Sequence, residues 1–350
     1  MPPAATAVCG DEVLAFGHPM NFTGPATMSL HGARATHIQD DQTLSGFKVA
    51  NLGAPIGTVD GDRLAGLHAE TGALPTSYDV SSAASQGSDT RSANTHVTVP
   101  ALMPEMGFSN MIAAQDRVLD RIGQGTASAG WTIQGLRKDG TPFSFTRSDL
   151  YADPNDISVA PAIRLADDLS AIQYNPGEVV KITSVDTTSS LEDAYETYAI
   201  SKVQVYRGGR WVTLQQRQPS WLRAGRTAHL KVFLTSREGD PRTLDVSAVV
   251  PARASGIFGT LTVTGGDEDA FSADDFFDLE EDGFEEQSPA PSSSTFPKLL
   301  KELAAGPKHN EVRATLRFRG APGAAGKAQQ SSVSMNRVVS GYKLYHLLAR

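Results

Sequence analysis

Between Trp131 and Val263 the chain reads as a succession of short apolar runs broken by turn residues at regular spacing. Thr132–Leu136 and Thr141–Phe145 flank Asp139-Gly140, and Val203–Tyr206 and Trp211–Leu214 flank Gly208-Gly209, both strong hairpin signals. Val179–Val185, Thr227–Leu234 and Leu244–Val250 continue the series. Runs this short cannot bury a helix, so the pattern predicts a mainly β chain with a β-sandwich-like domain over 131–266. The acidic, Ser/Thr-rich stretch from Val185 to Ala199 reads as a crossing between strands.

The flanking regions differ in texture. Residues 1–76 are glycine-rich, with strands expected at Val8 and Val13–Phe16 around Gly10-Asp11. Phe47–Ala50 and Ile56–Val59 read as strands on either side of an Asn51-Leu52-Gly53 turn, and Asp60-Gly61 as a further turn. Residues 77–130 read as a loop and helix connection. Ser, Ala, Thr, Gly and Asp dominate 77–96, which reads as a loop, an exposed connection or a variable hairpin tip, and a helix is expected over Ser109–Ile122. In that helix Met111, Ile112, Gln115, Val118, Leu119 and Ile122 recur at helical spacing, Ser109 or Asn110 can cap the start, and Gly123 can end it.

Residues 267–294 read as an acidic, Ser/Pro-rich linker. Eleven acidic residues fall between Asp267 and Glu286 without a Lys or Arg, so most of the net charge of −8 is local. Residues 295–350 form a helix-strand segment. Thr295 caps a helix through Ala305, Gly306-Pro307 stops it, Glu311–Phe318 alternates as a strand, and Val338–Leu348 is strand-like.

Several chemistries are excluded. There is no basic stripe for nucleic acid, no apolar window long enough for a membrane span, and no cofactor motif. The single cysteine, Cys9, rules out an internal disulfide and a cysteine-rich zinc site. It sits in a Gly10-Asp11-Glu12 turn among acids, which raise a thiol pKa rather than activate it. His18, His31, His37 and His68 match no zinc spacing. Asp267–Asp278 has Phe271 and Ser272 where a calcium loop needs a ligand and a glycine. Gly320–Lys327 departs from the phosphate-loop pattern at Ala321 and Ala328.

The remaining candidate is His18, at the end of Val13-Leu14-Ala15-Phe16-Gly17-His18-Pro19. A histidine between glycine and proline on a stiff turn is a good mount for a general base, and equally a structural residue of that turn.

This segment resembles the catalytic-histidine segment of the SpoIVB family of serine peptidases, in particular its large bacterial relatives. The resemblance continues through Phe47-Lys48-Val49-Ala50-Asn51-Leu52-Gly53-Ala54-Pro55-Ile56-Gly57-Thr58 and Asp62-Arg63-Leu64-Ala65-Gly66-Leu67. It is strongest over residues 6–75, and looser in the downstream β-rich region and in Leu299–Leu303 to Asn310–Val312. It implies a partial, β-barrel-like peptidase region over 1–76, an exported protein, a peptide or protein substrate, and His18 as general base for a serine hydroxyl. The family's serine lies in a Gly-Met-Ser-Gly-Ser-Pro-like motif, which this chain lacks. Ser45-Gly46 and Ser340-Gly341 are its nearest dipeptides. The expectation is therefore a peptidase-family protein incomplete at its amino terminus and inactive alone, its opening residues showing no secretory leader. The acidic partner stays open among Asp40, Asp41, Asp60 and Asp62. The competing expectations are a non-enzymatic β-rich binding or cell-envelope scaffold protein and, third, a metal-dependent hydrolase using the early histidines.

Overall fold

A computed structural model describes residues 5–40, 46–266, 295–318 and 329–350. The protein is mainly β, with four five-stranded sheets and three α-helices among the described residues. None of the sheets closes into a barrel. The expected linker at 267–294, the calcium-like acids and the Gly320–Lys327 segment lie outside the described residues.

The first sheet has the order β1-β2-β5-β4-β3, all antiparallel: β1 (Ala5–Cys9), β2 (Glu12–Ala15), β3 (Gly24–Gln39), β4 (Phe47–Arg63) and β5 (Gly66–Thr71). The Gly10-Asp11 turn joins β1 to β2 as expected. The turns expected at Asn51–Gly53 and Asp60-Gly61 do not exist, because β4 runs through both. Register shifts interrupt its pairing with β3 and β5, including one between Val59 and Gly61. These glycines accommodate bulges and close strand approach rather than reversing the chain. The core of this sheet is small: only Val13, Val59, Leu67 and Ala69 are buried hydrophobics.

The second unit was not visible in the sequence as one body. Its sheet, β7-β6-β10-β8-β9, joins β6 (Tyr78–Gln86), β7 (Asp89–Val97), β8 (Gly125–Leu136), β9 (Pro142–Asp153) and β10 (Lys181–Glu192). The β6–β10 pair is parallel and the others are antiparallel. The 77–96 stretch is therefore a hairpin, not a loop. Its inward positions are Tyr78, Val80, Ser82 and Ala84, and α1 packs against this strand. The stretch from Val185 likewise continues inside β10 instead of crossing. Its Thr187 donates a hydrogen bond to Ser82 Oγ across the parallel pair (2.8 Å), so two buried hydroxyls are satisfied.

Helix α1 (Met103–Leu119) starts six residues before the expected Ser109. Pro104 occupies its first turn, Asp120 in the left-handed conformation ends it, and Gly107 gives way to Leu169 of α2. Helix α2 (Val159–Gln173) was unexpected in a region read as strand. Ala162, Leu165, Leu169 and Ile172 form its buried face. Helix α3 (Phe296–Ala304) is where the sequence placed it. Thr295 stands at its N-cap, but its hydroxyl makes no capping bond.

Phe296 and Leu299 of α3 complete the core of the second unit, so the chain returns to this unit after residue 294. A buried clamp fastens the return. Arg147 donates to the carbonyls of Leu303 (3.0 Å) and Pro307 (2.6 Å), and the Asp149 carboxylate accepts from the backbone N–H (3.0 Å) and Nδ1 (3.1 Å) of His309. Beneath it the Asp168 carboxylate accepts from Trp131 Nε1 (3.1 Å).

A β-sandwich forms the third unit. One sheet is β12-β11-β14-β15: β11 (Thr197–Arg207), β12 (Arg210–Thr213), β14 (Thr227–Ser236) and β15 (Pro241–Val249), with β19 (Val338–Ser340) beside β11. The other is β13-β20-β16-β17-β18: β13 (Ser220–Leu222), β16 (Phe258–Gly265), β17 (Glu311–Arg317), β18 (Gln329–Ser334) and β20 (Tyr342–Ala349). Leu230, Val232 and Val246 face Leu261, Val263, Leu316 and Leu347 in its core. The sandwich thus draws on both 197–265 and 311–349. The boundary expected at 130/131 falls inside β8, and residues 131–192 belong with the helical unit.

Candidate functional site

His18 lies in the connection from β2 to β3, and the backbone there is tightly specified. Gly17 N–H reaches back to Ala15 carbonyl (3.2 Å), which places Phe16 at the centre of a three-residue turn with φ of 78°. A positive φ is uncommon for a bulky residue and costs roughly 1–3 kcal/mol. Phe16 offsets this by packing its ring on the small core of the first sheet and edge-on to the His18 ring at 4.8 Å.

The β4–β5 corner holds this turn from below. Gly66, at φ of 142°, sits so close that a Cβ there would lie 2.7 Å from Ala15 carbonyl oxygen and 3.2 Å from Gly17 nitrogen. From the same corner the buried Asp62 carboxylate accepts hydrogen bonds from the backbone N–H of Met20 (2.8 Å) and Asn21 (2.7 Å), with Thr23 N–H further away at 3.5 Å. Burial pushes the Asp62 carboxyl up, but these backbone donors outweigh it and hold it below the usual carboxylate value. The Val13–Pro19 and Asp62–Leu67 blocks of the sequence are thus one physical object, a histidine loop and its cradle.

The ring of His18 is exposed and its Nδ1 lies 2.7 Å from Pro19 carbonyl. A carbonyl can only accept, so Nδ1 donates, and in the neutral ring Nε2 is the acceptor. That is the tautomer a general base requires. Among the described residues, no hydroxyl, thiol or carboxylate is hydrogen-bonded to this ring. The Met20 and Asn21 amides point at Asp62, so they cannot also receive an oxyanion.

The other early histidines are dispersed. His31 Nδ1 pairs with Gly53 carbonyl (2.9 Å), His37 with Thr36 (3.2 Å) and His68 with Asp60 (2.6 Å). Asp60 raises the His68 pKa against a smaller opposing effect of burial. Among the described residues no group of three or more His, Cys, Asp or Glu could hold a metal ion. Cys9 is exposed at the end of β1. No helix among the described residues is long and apolar enough to cross a membrane.

Asp60 and Asp62 were indistinguishable by sequence position, and the fold gives them different tasks. Asp62 shapes the histidine loop and Asp60 orients another histidine. The pairing of Asp62 with amides some forty residues away leaves no local signal. The only hint was its place in the same Asp62–Leu67 stretch as Gly66.

As a depressed carboxylate, Asp62 supports the loop at neutral pH, and that support is lost as pH falls through its lowered pKa. Exchange of the Met20 and Asn21 amides is expected to accelerate by about tenfold or more in Asp62→Ala at pH 7. In the unaltered protein the protection of these two amides, taken relative to the intrinsic exchange rate at each pH, is expected to fall on acidification. Unchanged exchange in the variant would show that the loop holds itself.

Comparison with known proteins found no match to any family model, curated protein or solved structure.

Proposed function

We propose that the chain is part of a SpoIVB-like serine endopeptidase in which His18 is the general base. The observation that carries this reading is the exposed His18 ring, its Nδ1 donating to the Pro19 carbonyl, on a loop held in a strained shape by Asp62 and Gly66. Strain kept up by a dedicated cradle is characteristic of functional loops. His18 takes the proton from a serine hydroxyl supplied from outside these residues. The serine oxygen attacks the peptide carbonyl, the histidine returns the proton to the departing amine, and water then releases the acyl group. The oxyanion donors come with the serine motif, since the loop's own amides are occupied. The chain alone is inactive on this reading.

The test is fluorophosphonate labelling of the native protein from its source cells, with and without His18→Ala. A labelled serine is expected, with the variant reacting about 10²–10⁴-fold more slowly. Because the ring is exposed, the variant should melt with the unaltered protein. Equal labelling would remove the catalytic role of His18, and no labelling in either form would leave a non-enzymatic β-rich binding or scaffold protein.

A further inference from the structure

We infer that the outer face of the β12-β11-β14-β15 sheet of the sandwich is a shallow binding site for a neutral carbohydrate chain. The inner face of this sheet is a closed apolar core, with Val205, Leu230 and Val246 all buried. Rings on the opposite face are not needed for that core, yet Tyr206 and Trp211 stand there as a cross-strand pair with centroids 5.2 Å apart. Tyr206 is 48% exposed. The strand register sets His229 opposite Ser247, and Lys231 opposite Asp245 on one side and Gln204 on the other. Together the rings, His229, Asp245 and Ser247 line a groove of about 240 Å³, with the strand backbone at Leu230 and Val246 as its floor.

The composition of the groove selects the ligand. The face carries both signs of charge, Lys231 and Asp245, so a polyanion or a cation would each meet a like charge. Its bulk is aromatic rather than aliphatic, which suits neither an acyl chain nor a packed helix. Sugar rings present C–H faces that are attracted to the negative face of an aromatic ring. Their hydroxyls both donate and accept, and here Asp245 accepts, Lys231 donates, and His229 and Ser247 can do either. The groove is smaller than the roughly 300–1,000 Å³ of enclosing pockets and open along the strands. It therefore fits a sugar unit lying flat within a longer chain. The Lys231 ammonium, now 4.6 Å from the Trp211 ring centroid, would swing off that ring to a ligand hydroxyl.

The proposal is independent of the peptidase reading and is tested on the full chain. Titration calorimetry against soluble β-glucan, xylan, starch-type glucan and mannan should find at least one binder with Kd below about 10 mM. Tyr206→Ala should weaken it by about tenfold or more, and Tyr206→Phe, which keeps the ring, by much less. Asp245→Ala should also weaken binding while leaving the circular dichroism spectrum unchanged. Absence of binding to all four polymers would overturn the proposal. So would affinity that survives Tyr206→Ala, or a concentration-dependent dimer abolished by that variant.

Discussion

Arg147→Met is expected to destabilise the second unit by about 3–5 kcal/mol, the penalty for leaving one member of a buried charged pair without the other. The Arg147 side chain is 2% exposed and that of Asp149 is fully buried. Removing the guanidinium strips Asp149 of its neighbouring cation, removes the side-chain donor to the Pro307 carbonyl, and leaves the Leu303 carbonyl only its backbone donors. Chemical denaturation should show the lost stability. A double variant, Arg147→Met with Asp149→Leu, should recover part of it because no uncompensated charge then remains. A single variant as stable as the unaltered protein would show that the clamp holds nothing. The clamp also has a pH signature. Burial pushes Asp149 up, but His309, the Leu150 amide and Arg147 more than reverse this and lower its pKa. Its contribution is therefore complete above the usual carboxylate range and is lost as pH falls through the lowered value.

Gly57→Ala should unfold the first sheet selectively. A Cβ at position 57 would stand 2.0 Å from Glu70 carbonyl oxygen and 2.8 Å from Thr71 Cα, both backbone atoms that cannot move without parting β4 from β5. Overpacking of this kind costs about 1–3 kcal/mol or more, and only four buried hydrophobic residues hold this sheet together. Hydrogen exchange should show protection lost across β2, β4 and β5 and kept in β8 and β14, whose cores are separate. The His18 loop should loosen with the sheet, since Asp62 and Gly66 lie on the β4–β5 corner. Gly32→Ala makes the control: a Cβ there meets nothing within 4 Å, and protection should be unchanged. Uniform protection in Gly57→Ala would mean that β4 and β5 tolerate separation.

The parts of this fold that were legible in the sequence are those whose signals are local. The Gly10-Asp11, Asp139-Gly140 and Gly208-Gly209 turns each impose a left-handed residue or a tight reversal, and each joins the expected strands. The alternation of Val312, Ala314, Leu316 and Phe318 is a half-buried strand, as it reads. The misreadings came where tertiary packing overrides composition. The β6–β7 hairpin is built largely of Ser, Ala, Thr and Asn, with Val only at positions 80 and 97, so the apolar alternation that marks a strand is weak. Helix α2 opens with Ala160, Pro161 and Ala162, and Arg164, Asp167 and Asp168 divide its apolar positions, which hid the period among neighbouring strands. Asn51–Gly53 and Asp60-Gly61 are turn residues by type, but in β4 they serve bulges. At the candidate site, His18 and its turn were visible, whereas its cradle joins residues far apart in the chain. The serine motif was absent from the sequence, and the described structure supplies no substitute.

The return of the chain at α3 also governs the order in which the molecule can be completed during synthesis. By the time β10 has emerged from a ribosome, the second unit has its whole sheet and two of its helices, but not Phe296, Leu299 or His309, the second partner of Asp149. The strands of the sandwich up to β16 must be made first, and they in turn wait for β17 to β20. Neither core can close before residues beyond 295 have been made. Vectorial folding from the amino terminus stalls with two unfinished apolar surfaces side by side, a condition that favours misassembly and chaperone engagement. α3 and His309 thus complete the second unit, and β17 to β20 then complete the sandwich.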